Sequence, residues 1–297
     1  MTSDGAAPSH GGAARPPGHD PLPFPAVTWG GPEALAAIDA ARPCLPTPLP
    51  EAHVVSVLTA IVARAGQYAV KVHPPGTDAG HLERVGDALA GSSSAVVPLH
   101  QPVATEHGVV SLLPWLEPAA PVGWPDVGAL LRQFHTEHAG AAVAPWTPLR
   151  RVAQATAGLA AADQAVLLGA RDTLLAVLAG LDWLWPPDVI HGDVSPSNVM
   201  RAEGRPVLVD VDFVAVGPRE YDLASAALRR TTGEIDRSTW LGFCRAYGAD
   251  VLGWSGLPVL HRVMQLGAVA FSLWDCLRSG RPLDWVPDVV AGWRTPL

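Results

Sequence analysis

Apolar residues in the first part of the chain come in short runs rich in β-branched side chains, which is typical of strands. The run from His53 to Ala63 predicts one strand, and Gln67 to His73 predicts its partner across a turn at 64–66. Two other segments of this part have the spacing of helices. The remaining predicted elements are strands at Val96–Val103 and Val109–Leu113 and helices at Glu33–Ala41 and Asp78–Ala90.

In the second part of the chain the apolar positions follow a helical period. Between Val127 and His138, residues 127, 130, 131 and 134 fall on one helical face. We expect the remainder to be mainly helical, with one loop and its short strands inserted near residue 190. The predicted helical segments are Val152–Leu184, Ser238–Tyr247 and Leu257–Leu277.

Length and composition allow a globular protein and exclude several classes. A chain of 297 residues with 48% hydrophobic content can bury a sizeable core. No apolar run approaches the ~20 residues of a transmembrane helix, so no membrane partner is expected. Residues 1–25 contain ten glycines or prolines and neither a basic start nor an apolar stretch, which predicts a disordered tail instead of a secretion signal. Three scattered cysteines indicate a reducing cytoplasm.

The charge distribution argues against a nucleic-acid partner. The formal net charge is -8, only 16% of residues are charged, and Lys71 is the sole lysine. A nucleic-acid surface needs clustered basic residues, whereas an acidic chain attracts cationic small molecules. The 29 glycines and 30 prolines, with many alanines, are typical of a GC-rich bacterial genome. Composition leaves both a monomer and a homodimer open.

One segment, residues 190–213, carries three polar residues spaced as phosphoryl transfer requires. It reads IHGDVSPSNVMRAEGRPVLVDVDF and contains Asp193, Asn198 five positions later and Asp210 twelve positions after that. An Asp on a short loop can take a hydroxyl proton beside an Asn that binds Mg²⁺, while an Asp after the next strand holds the metal from the other side. Alternation puts Asp212 on the side of Asp210, where it either contacts a second metal or faces solvent.

The order H-G-D-x4-N, followed by an apolar strand that ends in Asp, resembles the aminoglycoside phosphotransferase family, the small-molecule relatives of the protein kinases. Gly192 stands where the protein kinases have Arg, and Val209–Asp212 replaces their D-F-G. Tyr221–Ala224 is similar to the family's D-L-A motif. H-G-D, the Asn, the strand that ends in Asp and the D-L-A motif all occur in the family order. Together they are a far more specific signal than H-G-D alone.

The resemblance implies an α+β, bilobal protein-kinase-like fold with a small β-rich lobe and a larger, mainly helical lobe. Residues 1–25 would form the tail, 26–114 the nucleotide-binding lobe, 115–118 the hinge, and 119–297 the catalytic and substrate-binding lobe. It also implies an enzyme that uses Mg²⁺ and ATP or GTP to phosphorylate an alcohol group of a small, hydroxylated acceptor.

The family's functional residues can be assigned to matching positions of this sequence. The assigned positions in the second lobe are Asp193 as the catalytic residue, Asn198, Asp210 and Asp212 as metal ligands, and His191 and Asp222 as supports of the catalytic loop. Lys71 lies in A-x-K near the end of a strand and would contact the phosphates. Glu83 in the following helix would pair with Lys71, and Asp87 is the alternative partner. Trp115 and Leu116 would meet the adenine edge.

Several alternatives remain open. No G-x-G-x-x-G precedes the strand at Val54, so neither the phosphate-covering loop nor a preference for ATP or GTP can be assigned, and a non-catalytic nucleotide-binding scaffold is an alternative. The acceptor is an aminoglycoside-like compound or, alternatively, choline, homoserine, a fructosamine or a macrolide, and antibiotic resistance is one role that the family permits. The candidates to bind acceptor amines are Asp275, Asp284 and Asp288. His135 and His138 are spaced H-x2-H, but no third zinc ligand accompanies them, which favours packing.

Overall fold

The computed structural model describes residues 20–117 and 122–297, which fold into a β-rich lobe and a helical lobe. The first lobe contains α1 (Gly31–Ala41), β1 (His53–Val57), β2 (Ile61–Ala65), β3 (Tyr68–His73), α2 (Ala79–Ala88), β4 (Val103–Thr105) and β5 (Gly108–Pro114). The second contains α3 (Trp124–Glu137), α4 (Val152–Thr156), α5 (Ala161–Ala179), β6 (Asp188–Ile190), β7 (Val199–Ala202), β8 (Arg205–Leu208), β9 (Ala215–Gly217), α6 (Arg219–Thr232), α7 (Arg237–Tyr247), α8 (Leu257–Ser279) and α9 (Val286–Gly292). The predicted α+β class is confirmed.

A five-stranded antiparallel sheet, in the order β1-β2-β3-β5-β4, forms the first lobe. Helix α1 covers one face of it, because residues 34, 37, 38 and 41 fall on one side of the helix and are all buried. Val70 and Val72 of the central strand β3 belong to the same buried cluster. Since side chains alternate along a strand, Lys71 points from the opposite face, toward the second lobe.

Two predicted strands differ from the structure, each for a local reason. The segment 53–63 is a hairpin and not one strand, because Leu58–Ala60 turns the chain between β1 and β2. The run VVSVLTAIVA carries none of the Gly, Pro, Asn or Asp residues that mark a turn. In the segment 96–103 only the last residue belongs to a strand, since Pro98 and Pro102 lack the amide that a sheet needs.

The face predicted for the first helix of the second lobe is buried. Residues 127, 130, 131 and 134 of α3 all lie in the core. Gly128 lets α3 and α7 approach closely, because a Cβ there would lie 2.7 Å from the Phe243 carbonyl oxygen. The predicted helical segment 152–184 is divided into α4 and α5 at residues 157–160, where Gly158 interrupts the helix. No helix among residues 20–117 and 122–297 combines the length and the apolar character needed to cross a membrane.

Residues 20–25, which fall within the predicted tail, pack against the helical lobe. Phe24 stacks on Trp274 with ring centroids 5.3 Å apart. The Gln154 side-chain amide bonds both the amide and the carbonyl of Phe24 at 2.8 Å, and the Trp274 indole donates to the Pro25 carbonyl at 2.9 Å. Burial of two aromatic rings outweighs the composition that predicts disorder. The rest of the predicted tail, residues 1–19, lies outside the described residues.

Candidate active site

The loop that follows β6 brings Asp193 and Asn198 together at the junction of the two lobes. The Asn198 side-chain amide, Nδ2, donates to the Asp193 carbonyl oxygen at 2.8 Å and to Asp193 Oδ2 at 3.0 Å. Because a carbonyl only accepts hydrogen bonds, Nδ2 must face Asp193, and Asn198 Oδ1 points elsewhere. The Val209 amide donates to the Asn198 carbonyl at 2.9 Å, which ties the loop to the residue before Asp210. Asn198 therefore keeps an oxygen available for a cation.

A buried carboxylate, that of Asp222, holds the start of this loop. Asp222 lies in the first turn of α6, and its two oxygens accept from the amides of His191 at 2.7 Å and Gly192 at 2.8 Å. His135 from α3 bonds the same carboxylate at 3.0 Å. Gly192 is required by the turn, because its φ is 81° and a Cβ would lie 2.6 Å from the Phe213 carbonyl oxygen.

The imidazole of His191 is fully buried and has both nitrogens engaged. Nε2 lies 3.0 Å from the Val209 carbonyl oxygen, which only accepts, so Nε2 carries the proton. Nδ1 then accepts from the Asp193 amide at 3.3 Å. These bonds leave no free nitrogen to act as a base, and they connect the loop that carries Asp193 to the residue before Asp210.

The two histidines of the H-x2-H pair have different partners. His135 bonds Asp222 and the Tyr247 hydroxyl, whereas His138 contacts the Ser92 hydroxyl at 2.8 Å. No group of three His, Cys, Asp or Glu that could hold a metal occurs in residues 20–117 and 122–297. The packing interpretation of this pair, and not the zinc interpretation, agrees with these contacts.

The Asp193 side chain is exposed and lines a cavity of the second lobe. Its surroundings raise its pKa above the usual value, chiefly because the neighbouring protein partly removes hydration from the charged form. The nearby Asp210 carboxylate raises it further. An Asp with a raised pKa is a better proton acceptor than a fully solvated one.

Lys71 crosses from β3 to the Asp210–Phe213 turn and contacts two carboxylates. Its ammonium bonds Asp210 Oδ1 and lies 2.6 Å from Asp212 Oδ2. Burial alone would lower the pKa of Lys71, but Asp212 and Asp210 outweigh it and raise the pKa above its usual value. Asp210 adopts the left-handed conformation, with φ of 62°, which is rare for a residue other than glycine and is a strain found at functional sites.

The predicted pair between Lys71 and Glu83 is not formed, and Glu83 is exposed. Helix α2 buries residues 81, 82 and 85, so Glu83 lies on the solvent side. Asp87, the alternative partner, is also exposed and bonds Gln101 at 2.9 Å. Asp212 takes the place of the helix carboxylate at Lys71.

Two histidines that the sequence did not single out hold Asp212. His73 Nε2 lies 2.8 Å from Asp212 Oδ2, and His81 Nε2 lies 2.8 Å from the Asp212 carbonyl oxygen. Although burial would raise the pKa of Asp212, Lys71 and His73 hold it well below the usual range. The available signal was the alternation of β3, which places His73 on the same face as Lys71.

A cavity of about 440 Å³ lies between the lobes and has one apolar and one polar end. Lys71, Asp210 and Asp212 line the polar end, next to Asn198. The apolar lining comes from both lobes and includes Val62, Ala69, Val96, Leu113, Leu116, Met200 and Val209. We call this space the donor cavity. Its two ends match a flat, apolar base attached to charged phosphates.

The predicted hinge residues Trp115 and Leu116 border the donor cavity. The Trp115 amide is already used, because it donates to the Gln67 carbonyl at 2.9 Å, and Arg64 lies over the Trp115 ring at 4.6 Å. The backbone amide and carbonyl of Leu116 form no hydrogen bond with another described residue. Leu116 therefore has the free backbone groups that a purine edge can bond. Residue 118, the last of the predicted hinge, lies outside the described part of the chain.

The β1–β2 turn forms part of the wall of the donor cavity. Ser56, Leu58, Thr59 and Ala60 all line the cavity. The turn closes through a hydrogen bond of 3.1 Å from the Leu58 amide to the Ala60 carbonyl. Unlike G-x-G-x-x-G, this turn contains no glycine.

A second cavity, of about 800 Å³, lies on the helical lobe beside Asp193, and we call it the acceptor cavity. The three carboxylates predicted to bind amines, Asp275, Asp284 and Asp288, are not among its lining residues. Asp275 is paired with Arg278 at 2.9 Å and with Arg281. The charged side chains that do line the acceptor cavity are Asp78, Asp193, Asp210, Arg84, Arg150, Arg151 and Arg229.

The donor set fits a magnesium ion. Asn198 offers Oδ1, and Asp210 is half-buried with its carboxylate at the same cavity wall. One amide oxygen and one carboxylate, completed by phosphate oxygens and water, are the ligands that Mg²⁺ prefers. Asp212 is less available, because its Oδ2 already contacts Lys71 and His73.

Comparison with protein families gives one match that spans most of the chain. The model of the phosphotransferase enzyme family (APH) matches residues 55–260. The EKC/KEOPS complex subunit BUD32 of Yarrowia lipolytica is 37% identical over 54 residues, which are 18% of this chain and 22% of that protein. This chain therefore matches less than a quarter of that relative's length.

Solved structures share the fold over most of their length. Amicoumacin kinase hAmiN, in complex with AMP-PNP, Ca²⁺ and Ami, superposes with a TM-score of 0.64 at 13% identity, over 87% of this chain and 91% of that chain. Choline kinase LicA from Streptococcus pneumoniae superposes with a TM-score of 0.61 at 14% identity, over 90% of this chain and 100% of that chain. At such low identity the likeness shows a common fold.

Proposed function

This chain belongs to the phosphotransferase enzyme family, and on that premise we propose that it transfers the γ-phosphate of ATP or GTP, with Mg²⁺, to a hydroxyl group of a small acceptor. One observation carries the proposal: the donor and acceptor cavities meet where the motif residues converge. Asp193 lines the acceptor cavity, Lys71 lines the donor cavity, and Asn198 and Asp210 line both. A phosphoryl group could pass between the cavities past these side chains.

The donor cavity supports binding of a purine nucleotide. Its apolar end would enclose the base between Val62 and Ala69 of the first lobe and Met200 of the second. The free amide and carbonyl of Leu116 would bond the edge of the base, and the same groups suit adenine or guanine, so both donors are retained.

The polar end supports binding of the phosphates. An ammonium has three N–H donors, and Lys71 uses two of them on Asp210 and Asp212. The third is available to a phosphate oxygen. Asn198 Oδ1 and the Asp210 carboxylate would hold Mg²⁺. When bound, the ion neutralises phosphate charge.

In the proposed reaction Asp193 would orient the acceptor hydroxyl and take its proton. The bond from Asn198 Nδ2 orients the carboxylate, and its raised pKa favours proton uptake. Phosphoryl transfer through a loose transition state needs mainly positioning and charge stabilisation, so a modest base is sufficient. His191 and Asp222 would act only by holding the loop.

The acceptor class remains broader than an aminated sugar. The carboxylates expected to bind amines lie outside the acceptor cavity, and four arginines line it. An aminoglycoside-like compound, choline, homoserine, a fructosamine and a macrolide therefore all remain candidates. The structural neighbours include kinases named for amicoumacin and for choline, so the fold alone does not imply resistance. A non-catalytic scaffold is disfavoured, because a scaffold would not need Lys71, Asp193, Asn198 and Asp210 to converge on one cleft.

Two measurements test the proposed function. Titration calorimetry with ATP and GTP should show binding that is stronger with Mg²⁺ than with EDTA. Release of nucleoside diphosphate should then rise above its basal rate with at least one member of a panel of aminoglycosides, macrolides, amino alcohols and sugars. Failure of both nucleotides to bind would refute the proposal, whereas nucleotide binding without stimulation by any compound of the panel would favour the scaffold. Stimulation that persists in Asp193→Asn would remove the proposed role of that residue.

A further inference from the structure

The boundary between the donor and acceptor cavities contains one cation that the family motif does not include. A group transferred from nucleotide to acceptor must cross the surface that both cavities share. The residues that line both are Leu58, Thr59, Arg151, Ser197, Asn198, Asp210 and Phe213. Of these described residues, Arg151 is the only one with a positive charge. Lys71, by contrast, lines the donor cavity alone.

Arg151 contacts both the N-terminal segment and the Asp210–Phe213 turn. Its guanidinium lies between two rings, at 4.9 Å from the Phe24 centroid and 5.0 Å from the Phe213 centroid. Its Nε donates to the Leu22 carbonyl at 2.6 Å. Its Nη1 and Nη2 form no hydrogen bond with any residue in the described part of the chain. The two rings thus orient the planar guanidinium, and its Nη groups are still able to donate hydrogen bonds.

The surroundings leave Arg151 charged. Burial lowers its pKa to about 10, and the neighbouring Arg150 lowers it too, while Asp20, Asp212 and Asp193 raise it. The guanidinium is therefore protonated at neutral pH. Asp20 lies 3.8 Å from Arg151 Nε but only 2.9 Å from Arg150 Nε, so its carboxylate is shared between two guanidiniums. Arg151 is thus near Asp193, which we place on the acceptor, and near Asp212, which contacts the phosphate-binding Lys71.

We propose that Arg151 is a catalytic residue whose Nη groups donate hydrogen bonds to the phosphoryl group during transfer. The inference rests on the proposed function. In that step the bond from the γ-phosphorus to the bridging oxygen breaks, and the diphosphate leaves with the electron pair. The acceptor oxygen forms the new bond to phosphorus, and its proton goes to Asp193. Arg151 neither gains nor loses a proton, but its charge offsets the negative charge on the equatorial oxygens.

The first experiment compares Arg151→Gln and Arg151→Lys with Arg262→Gln. Arg262 is a matched control, because it also stacks on a ring, that of Trp293 at 3.7 Å, and donates Nε to a backbone carbonyl, that of Pro296 at 2.8 Å. It lines neither cavity. Arg151→Gln should lower kcat for acceptor-stimulated release of nucleoside diphosphate by roughly 10²- to 10³-fold, with little change in nucleotide affinity. Arg151→Lys should recover part of the loss, and Arg262→Gln should keep the wild-type kcat.

Chemical rescue distinguishes a direct contact from a packing role. In Arg151→Ala, added guanidinium should restore part of the lost turnover, because it can occupy the space between Phe24 and Phe213. The same addition should do nothing for the wild type. A wild-type kcat in Arg151→Gln, or a loss in Arg151→Ala that guanidinium does not reverse, would overturn the proposal.

A binding measurement decides the question without any acceptor. Aluminium fluoride with the nucleoside diphosphate and Mg²⁺ mimics a phosphoryl group in transfer. It should tighten diphosphate binding at least about tenfold in the wild type, which corresponds to about 1.4 kcal/mol, and not in Arg151→Gln. Equal tightening in both proteins, or none in the wild type, would overturn the role of Arg151. Failure of the wild type to bind nucleotide would instead refute the proposed function, and the role of Arg151 with it.

Discussion

Replacing Asp222 with Asn would show how much one buried carboxylate contributes to holding the catalytic loop. Asp222 is 1% exposed and accepts three hydrogen bonds, from the amides of His191 and Gly192 and from His135 Nε2. Asn keeps the shape of Asp but has one oxygen that accepts and one amide that only donates. The change therefore removes one of two acceptor positions without leaving a cavity.

The cost follows from the three donors. With the Asn oxygen near Gly192, its amide faces the His191 amide, and in the opposite rotamer it faces the Gly192 amide. His135 can exchange its ring proton, because the Tyr247 hydroxyl at 3.0 Å from Nδ1 both donates and accepts. A backbone amide has no such freedom. One buried amide is left unbonded in either rotamer, which costs about 1 to 3 kcal/mol and lowers Tm by roughly 2 to 6 °C in a chain of this size.

Thermal unfolding of the two proteins, with turnover measured in parallel, tests this prediction. Turnover of Asp222→Asn should fall, because the displaced amide belongs to the residues next to Asp193, while nucleotide affinity should change little. Asp172→Asn is the control, since Asp172 is an exposed helix residue whose side chain pairs with no described residue other than Arg171. Its Tm should match that of the wild type. Unchanged stability in Asp222→Asn would mean that the loop does not depend on this carboxylate.

Three further predictions concern the cleft. Asp193→Asn should lower turnover by roughly 10²- to 10⁴-fold with intact nucleotide affinity, whereas Asp210→Asn should also weaken Mg²⁺-nucleotide binding; calorimetry that finds equal losses would contradict this division. Asp212→Asn should raise the nucleotide KM roughly tenfold, the effect of losing about 1.4 kcal/mol. Glu83→Gln should behave as wild type in the same kinetics. The reverse result would mean that Glu83, and not Asp212, supports Lys71. Gly192→Ala places a Cβ 2.6 Å from a carbonyl oxygen at a φ of 81°, so thermal unfolding should show a lower Tm, and an unchanged Tm would show that the turn can relax.

The parts of the site that sequence reasoning located are those held by local bonds. Asp193 and Asn198 lie five residues apart and bond each other directly, so their spacing alone carries the geometry. The contact between Lys71 and Asp210 spans 139 residues, and no local pattern encodes which carboxylate meets the lysine. The family pattern supplied a helix carboxylate, Glu83, that the orientation of α2 turns to solvent. Side-chain direction in a short helix depends on what it packs against, which a single sequence does not specify.

The same limit explains why Arg151 and the N-terminal segment were not found from the sequence. Arg151 lies 40 residues before His191, outside every motif, and its Nε bonds a carbonyl 129 positions away along the chain. Composition assigned that carbonyl, Leu22, to a disordered tail. A proline-rich segment can still be ordered when its few apolar side chains find a site, as Phe24 does beside Trp274. Rules based on composition do not account for a single buried side chain such as Phe24.

The N-terminal segment also connects the two lobes, which gives its contacts a mechanical consequence. The Pro21 carbonyl accepts from the Asp78 amide at 2.8 Å, next to α2 in the first lobe. Three residues later Phe24 is bound by Gln154 in the second lobe, and between them Leu22 accepts from Arg151. Opening the cleft must stretch or release this short segment, because its few residues cannot lengthen beyond about 3.5 Å each. The segment that orients Arg151 is therefore itself bonded to both lobes, and a motion that separates the lobes must break one of these bonds.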